Sequence, residues 1–402
     1  MREKSNAENE DIIINKNKKR RYIRIEACAI LVVIAVLGTL AACFFVLRSS
    51  KIYKTAYKLV QVDRLISKYY NGDVDYKKID ESVLSGYMEA LDDKYGFYKS
   101  SDDAETVADS FVGDAEGIGV TVYYNSEDNT LFVFRVDSGG PAEKAGIKEA
   151  DKITAIGSQL VSELGYEKSI EALKKQVGSK ISITYDRDGK EHKTVVEYTT
   201  FVRQTVYTQI KDEVGYMCFT AFNKATVEQF NSAFDSLKSK KIKALVFDLR
   251  DNGGGTVDSV CKILNSLVGK CDLMTVEYAN GERKVLYTSD ENELELPFAV
   301  LTNGNTASAS ELFAATIRDM KKGVLVGSTT YGKGVMQRTY FLNDKSCVRF
   351  TIGKFFPAGG VCFNNEGLKP DIEVSQSKYK YYNISEDPCF IKAFDYLKRE
   401  IK

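Results

Sequence analysis

A lysine set between two glycines, Gly332-Lys333-Gly334, is the first stretch whose chemistry can be argued. Together with Gly327 it has the spacing of a phosphate-binding P-loop, but the position that should offer magnesium a hydroxyl is Gly334. A P-loop also needs a following helix whose N-terminal amides face the phosphates, and GVMQRTYFL (334–342) alternates like a strand. The remaining chemical use of such a lysine is as a base. It can take a proton only when neutral, so its ordinary value of about 10.4 must come down by about three pH units, at a cost of about 4 kcal/mol. Burial or a neighbouring cation supplies that change, and flanking glycines let the backbone approach closely enough to bring the amine inside. A solvated loop lysine is the plain alternative.

A base needs a nucleophile. The whole chain has one histidine, His192, in the charged stretch DGKEHK, where a solvated strand position is expected. A Ser/His/Asp triad is therefore improbable, and a serine nucleophile here must use another base, of which Ser/Lys pairs are a variant. The candidate serine lies in NGNTASASELF (303–313), where a strand ends and a helix begins. Free amides and the helix dipole at that point favour a developing negative charge. Ser308 and Ser310 read equally well as helix caps, with Glu311 completing a capping box around Ser308. The third element is DLRDNGGGTVDS (248–259), another strand exit. Its glycines suit a tight turn or a close approach whose amides form one side of an oxyanion hole. The same run is a poor dinucleotide fingerprint, because Asp258 stands where the last glycine should be.

These stretches need strands and helices to hold them. Beyond about residue 205 the pattern alternates: KALVFDL and PFAVLTN read as buried strands, ATVEQFNSAFDSLKSK and ASASELFAATIRDM as helices. That alternation predicts a mostly parallel sheet with helices packed on it over 201–402. Residues 111–200 alternate with period two between Gly and Asp breaks and predict a small antiparallel β module, whereas 49–110 read as a helical segment. The fold class expected is thus multidomain α+β.

At 402 residues, two or three domains are the default, and the balance of 56 basic and 56 acidic residues removes any global electrostatic argument for nucleic acid. The N-terminus departs from this balance. The basic cluster KNKKRRYIR (16–24) precedes 21 uncharged positions, Ala27 to Leu47, enough to cross a bilayer as a helix. A cytoplasmic tail (1–24), a transmembrane anchor (25–48) and an extracytoplasmic remainder follow from the positive-inside rule. Leu40-Ala41-Ala42-Cys43 also resembles a lipoprotein processing site, though the apolar run continues past it. Six of the eight cysteines are scattered beyond the anchor without metal-binding spacing, so no zinc site and no other cofactor is expected, and disulfides stay open.

Taken in order, LVFDLRDNGGG, VLTNGNTASASELFAA, VGSTTYGKGVMQ and EGLKPDIEV (366–374) resemble the carboxy-terminal processing, or tail-specific, proteases, the Ser/Lys peptidases of the S41 type. The resemblance implies a serine endopeptidase with Ser308 as nucleophile, Lys333 as general base and Gln337 orienting the lysine. It implies oxyanion amides at Gly254 and Ala309. The family's N-P-G-G turn has Gly253 in place of proline here, which loosens the turn without removing the amide. GIGV (117–120) and SGGPAEKAGIKEADKITAIG (138–157) resemble a PDZ domain. Its carboxylate loop would be Ile118, Gly119 and Val120, with 167–175 as the helix walling the groove and Lys174 or Lys175 sensing the ligand. The partners implied are protein C-terminal tails, taken up by strand addition at the sheet edge. Related proteases dimerise through their ends, which here would be the helical segments at 55–95 and 388–402.

Overall fold

Five consecutive buried positions in Ala244–Asp248, and five more in Phe298–Thr302, mark strands covered on both faces. Period-two geometry sends Leu245, Phe247, Phe298 and Val300 to one face, with Ala244, Val246, Ala299 and Leu301 on the other. The computed structural model, which describes residues 28–40, 42, 52–104, 107, 113–375 and 384–401, builds both faces into cores. Helices Lys224–Ser239, Val257–Asn265 and Ala309–Asp319 cover the first face, and Pro388–Glu400 covers the second.

The central sheet runs Val206–Lys211, Val214–Phe219, Ala244–Asp248, Phe298–Thr302, Gly323–Gly327, Ile372–Glu373. Its first pairing is antiparallel and the remainder are parallel. A second, wholly antiparallel sheet joins Asp272–Tyr278, Arg283–Thr288, Val335–Phe341 and Cys347–Phe356. The region 201–402 is therefore mixed, correcting the expectation of a mostly parallel sheet. Only the β-α-β units were visible as periodicity, and an antiparallel edge needs no crossover helix to announce it.

Residues 114–202 form the antiparallel module, whose own core gathers Leu131, Val133, Ile153 and Ile183. Within the expected helical segment 49–110, helices Tyr53–Tyr69 and Tyr76–Glu89 are present, but Phe97–Lys99 is a strand paired with Cys347–Arg349. The chain divides into two units at Tyr76/Lys77, so residues 93–99 belong to the second unit.

The transmembrane helix expected over 25–48 is not found: among the described residues no helix is long and apolar enough to cross a membrane. Residues 28–40 are helical and exposed. Residues 25–27, 41 and 43–48, including the processing site at Cys43, lie outside the described residues. The helical segment expected at 388–402 is present as helix Pro388–Glu400. Its apolar face, with Cys389, Phe390, Ala393 and Leu397, is already buried against the central sheet.

Candidate active site

Parallel strands deliver their C-terminal loops to one edge of a sheet, and two such loops are stitched together here. Asn303 Oδ1 accepts from the Asp251 N–H at 3.0 Å, while Nδ2 of Asn303 and of Asn305 donate to Asp251 Oδ1 at 2.9 and 2.8 Å. Thr306 Oγ1 donates to the Leu249 carbonyl at 2.8 Å, and the Ala307 N–H donates to the Asn252 carbonyl at 3.1 Å. The root of the glycine loop is fixed by Arg250, whose buried guanidinium lies between Asp248 and Asp387, each at 2.5 Å.

Ser308 sits where the second loop enters helix Ala309–Asp319, with φ 58° and ψ −119°. A non-glycine residue held there is strained, and a strained strand-to-helix turn is how a nucleophilic serine is lifted clear of its sheet. Gly254 packs directly under it. A Cβ at Gly254 would lie 2.8 Å from the Ala307 oxygen, 2.9 Å from the Ala309 nitrogen and 3.0 Å from Ser308 Cβ, and its φ is +101°. The two expected oxyanion residues are thus brought together with the serine. In this conformation the Gly254 N–H donates to Asn252 Oδ1 at 2.9 Å. Ala309 N–H belongs to the first helical turn, whose amides have no intrahelical acceptor.

Glu311, read from sequence only as a capping residue, links the serine to the lysine. Its buried carboxylate accepts from Ser308 N–H (2.8 Å), Lys333 N–H (2.8 Å), Gly332 N–H (2.7 Å) and Thr330 Oγ1 (2.5 Å). Burial raises its pKa despite those four donors. The glycines around Lys333 are required by backbone contact: a Cβ on Gly332 would meet the Gly367 nitrogen at 2.9 Å, and one on Gly334 the Asn364 nitrogen at 2.8 Å. After Lys333 the chain enters strand Val335–Phe341, as the alternation predicted.

The Lys333 amine is half-buried, and burial holds its pKa below the ordinary lysine range. Arg349 and Lys94 push the same way, while Asp93 and Glu311 oppose them. Its Nζ lies 4.2 Å from the centroid of the Tyr95 ring. Among the described residues no hydrogen bond closes between Lys333 Nζ and Ser308 Oγ. No hydrogen bond joins Gln337 to Lys333 among the described residues either: Gln337 Nε2 donates to Val335 O and Thr351 Oγ1, both at 3.2 Å. The reason is local, since Thr351 Oγ1 is itself fixed by donating to Asp93 Oδ1 at 3.0 Å. Asp93 and Tyr95 were missed from sequence because they lie far from the motifs, and Arg349 because it falls between the third motif and the fourth. The run of turn residues DDKYG (92–96) was the available signal.

Of the expected carboxylate loop, Ile118 is buried in the module core, and its carbonyl accepts from Ala142 N–H at 2.8 Å. Gly119 has φ +75°, its carbonyl accepting from Asp137 N–H at 3.0 Å, and Val120 opens the edge strand Val120–Asn125. With helix Val161–Leu173 these residues line a groove of about 360 Å³. Lys174 lines it, as does Arg203, which sequence reasoning missed. His192 lies exposed on the module, stacked on Tyr185, away from all of this.

Comparison with known proteins agrees with this geometry. The Peptidase family S41 model matches residues 213–374, and the PDZ domain model matches 117–197. The carboxy-terminal processing protease CtpA of Bacillus subtilis is 30% identical over 320 residues, covering 79% of this chain and 68% of the relative. CtpB of the same organism is 30% identical over 330 residues, covering 80% and 68%. The solved photosystem II D1 C-terminal processing protease shares the fold, with a TM-score of 0.51 at 23% identity over 82% of this chain and 88% of that one. A strained serine at a helix start, beside the glycine and lysine loops of the matched region, fits what those relatives are: the chain belongs to peptidase family S41, the carboxy-terminal processing proteases, and is a serine-type peptidase.

Proposed function

We propose that this peptidase cleaves proteins near their C-termini with a Ser308/Lys333 dyad, and that its PDZ domain binds the substrate tail and gates the site. The observation that carries the reading is Glu311, whose Oε2 accepts from the backbone of both residues and so fixes their loops to one atom. Neutral Lys333 takes the Ser308 proton as Oγ attacks the peptide carbonyl, and the Ala309 and Gly254 amides receive the oxyanion. The lysine then protonates the leaving amine. Water hydrolyses the acyl enzyme with the same lysine as base, restoring the serine.

Gating is supported by two features of the resting site: the Gly254 amide is occupied by Asn252, and Lys333 faces Tyr95. Both must change before the dyad closes. Asp137 gives the groove a route to the central sheet. Its N–H holds the Gly119 carbonyl, while its carboxylate accepts from Gln204 N–H at 3.2 Å and Tyr207 Oη at 3.5 Å. The uncharged stretch from Ala27 to Leu47 behind basic residues supports anchorage at the membrane with the peptidase on the outer side.

Incubation with a disordered protein, followed by mass spectrometry of the products, tests the reading. Wild type is expected to cut, and Ser308→Ala and Lys333→Ala to lose cutting together. Blocking the substrate's terminal carboxylate as an amide is expected to slow wild type. Retained cleavage in either variant would end the dyad proposal.

A further inference from the structure

The residues that surround the Lys333 amine come largely from outside the four motifs. Asp93, Lys94 and Tyr95 form one turn of chain, held against strand Cys347–Phe356 by the Asp93 carboxylate. Its Oδ2 accepts from Thr351 N–H at 2.6 Å and its Oδ1 from Thr351 Oγ1 at 3.0 Å. The Tyr95 N–H closes the turn onto Asp93 Oδ1 at 3.1 Å. Lys94 Nζ lies 4.7 Å from the centroid of the Tyr331 ring and donates to its hydroxyl. Tyr331 in turn belongs to the lysine's own loop, and its N–H donates to the Thr306 carbonyl of the serine loop at 3.0 Å. The turn therefore holds strand Cys347–Phe356 at Thr351 and the lysine's loop at Tyr331, and between those points the ring of Tyr95 faces Lys333 Nζ.

The geometry points to Tyr95 as a positioning residue for Lys333, one whose ring face holds the ammonium in the resting protein and so sets how readily the amine becomes the neutral base. This rests on Lys333 being the base. The face of an aromatic ring attracts a cation and is indifferent to a neutral amine, so it favours the protonated form. The surroundings otherwise divide. Arg349 from the second sheet and Lys94 from the turn repel the ammonium, whereas Asp93 from the turn and Glu311 from the serine helix attract it. Tyr331 completes the ring of titratable neighbours, and its hydroxyl is engaged by Lys94 and by Tyr95. Burial drives the amine toward neutrality, while the Tyr95 ring favours the ammonium and holds it in place until the lysine swings to the serine. A base released only when the loops rearrange would keep the resting enzyme from cutting indiscriminately.

Two substitutions separate the ring face from the hydroxyl. Tyr95→Phe keeps the face, and Tyr95→Leu removes it while leaving the amine under apolar cover. Tyr95 is only half-buried, so neither should unfold the chain, and circular dichroism checks this. The readout is competitive acetylation of the full chain's lysines by acetic anhydride across pH, with peptide mass spectrometry following Lys333 against exposed lysines as internal references. The Lys333 midpoint in Tyr95→Leu is expected to fall by about half a pH unit or more, with Tyr95→Phe close to wild type. The ascending limb of kcat/KM on a disordered protein should move the same way. An unchanged midpoint in Tyr95→Leu, or equal shifts in both variants, overturns the inference. Because acetylation does not require turnover, that outcome is distinct from failure of the dyad reading, in which Lys333→Ala would still cut.

Discussion

The backbone amides of Ser308 and Lys333 donate to one and the same oxygen, Oε2 of Glu311, each at 2.8 Å, so the two nitrogens lie no farther apart than twice that distance. The other oxygen takes Gly332 N–H and Thr330 Oγ1. A carboxylate can accept all four, but a carboxamide cannot. Its NH2 group would point a donor at two donors, leaving two buried hydrogens without an acceptor at about 1–3 kcal/mol each. Glu311→Gln, although nearly isosteric, is expected to lower stability by a few kcal/mol and to reduce kcat far more than it raises KM. Chemical denaturation and steady-state kinetics on the same preparation check both. A variant with wild-type midpoint and kcat would show that the bridge is dispensable.

Strain at the serine leads to a prediction of opposite sign for stability and activity. Ser308 holds φ 58°, ψ −119°, a region that costs a side-chain-bearing residue about 1–3 kcal/mol. Ser308→Gly removes the nucleophile and relieves the strain, whereas Ser308→Ala removes the nucleophile alone. Both should be inactive, and the glycine variant should melt higher than the alanine variant. Equal melting temperatures would mean that the turn stores no strain.

How much of this was legible in the sequence varies with the reach of each signal. Lys333 and the loops that hold Ser308 and Gly254 stood out as short runs whose residue types already limit their chemistry, and the resemblance to the S41 peptidases singled out Ser308 and Gly254 within them. Glu311 was visible, but only as a cap three residues after a serine. Its bonds to Gly332 and Lys333 depend on a loop 21 and 22 residues away meeting it in space. Asp93 and Tyr95 were out of reach for a stronger form of the same reason, since Asp93 bonds Thr351 across 258 residues. Strand alternation gave the antiparallel β module, whereas its groove was expected only from the resemblance of GIGV and SGGPAEKAGIKEADKITAIG to a PDZ domain. The antiparallel sheet that carries Arg349 and begins just after Lys333 was not foreseen, because its strands are half-exposed and its two hairpins join across the long separation between Asp272–Tyr278 and Cys347–Phe356.

The charge around the base makes pH a direct probe. Burial and then Arg349 depress the Lys333 pKa, so activity should rise as pH climbs through that depressed value. Arg349→Met keeps the apolar bulk and removes a repelling cation. The ascending limb of kcat/KM should move to higher pH by about one unit or less, with the plateau rate recovered there. For stability the sign is as follows: a protonated amine is disfavoured in the folded state, so this position penalises folding below the depressed pKa. The penalty fades as pH rises from there toward the ordinary lysine value. Lys333→Met should therefore abolish activity and raise the melting temperature at neutral pH, with the difference from wild type narrowing under alkaline conditions. A limb that moves acid in Arg349→Met would contradict the electrostatic account.

Gly254 and Gly253 adjoin in one turn yet should respond in opposite ways to alanine. At Gly254 a Cβ meets the Ala307 oxygen at 2.8 Å and the Ala309 nitrogen at 2.9 Å, on a backbone with φ +101° that L side chains rarely adopt. Alanine there must push the glycine loop off the serine helix, displacing the amide expected to receive the oxyanion. Loss of one such donor costs on the order of 100- to 1,000-fold in kcat, and the backbone strain should also lower stability. At Gly253 a Cβ meets nothing within 4 Å, so Gly253→Ala should leave kcat within a few-fold of wild type. Kinetics of the two variants side by side, with melting curves, separate a requirement for a flexible turn from a requirement for a close approach. If both lose activity alike, flexibility of the loop matters more than the contact between Gly254 and the serine helix.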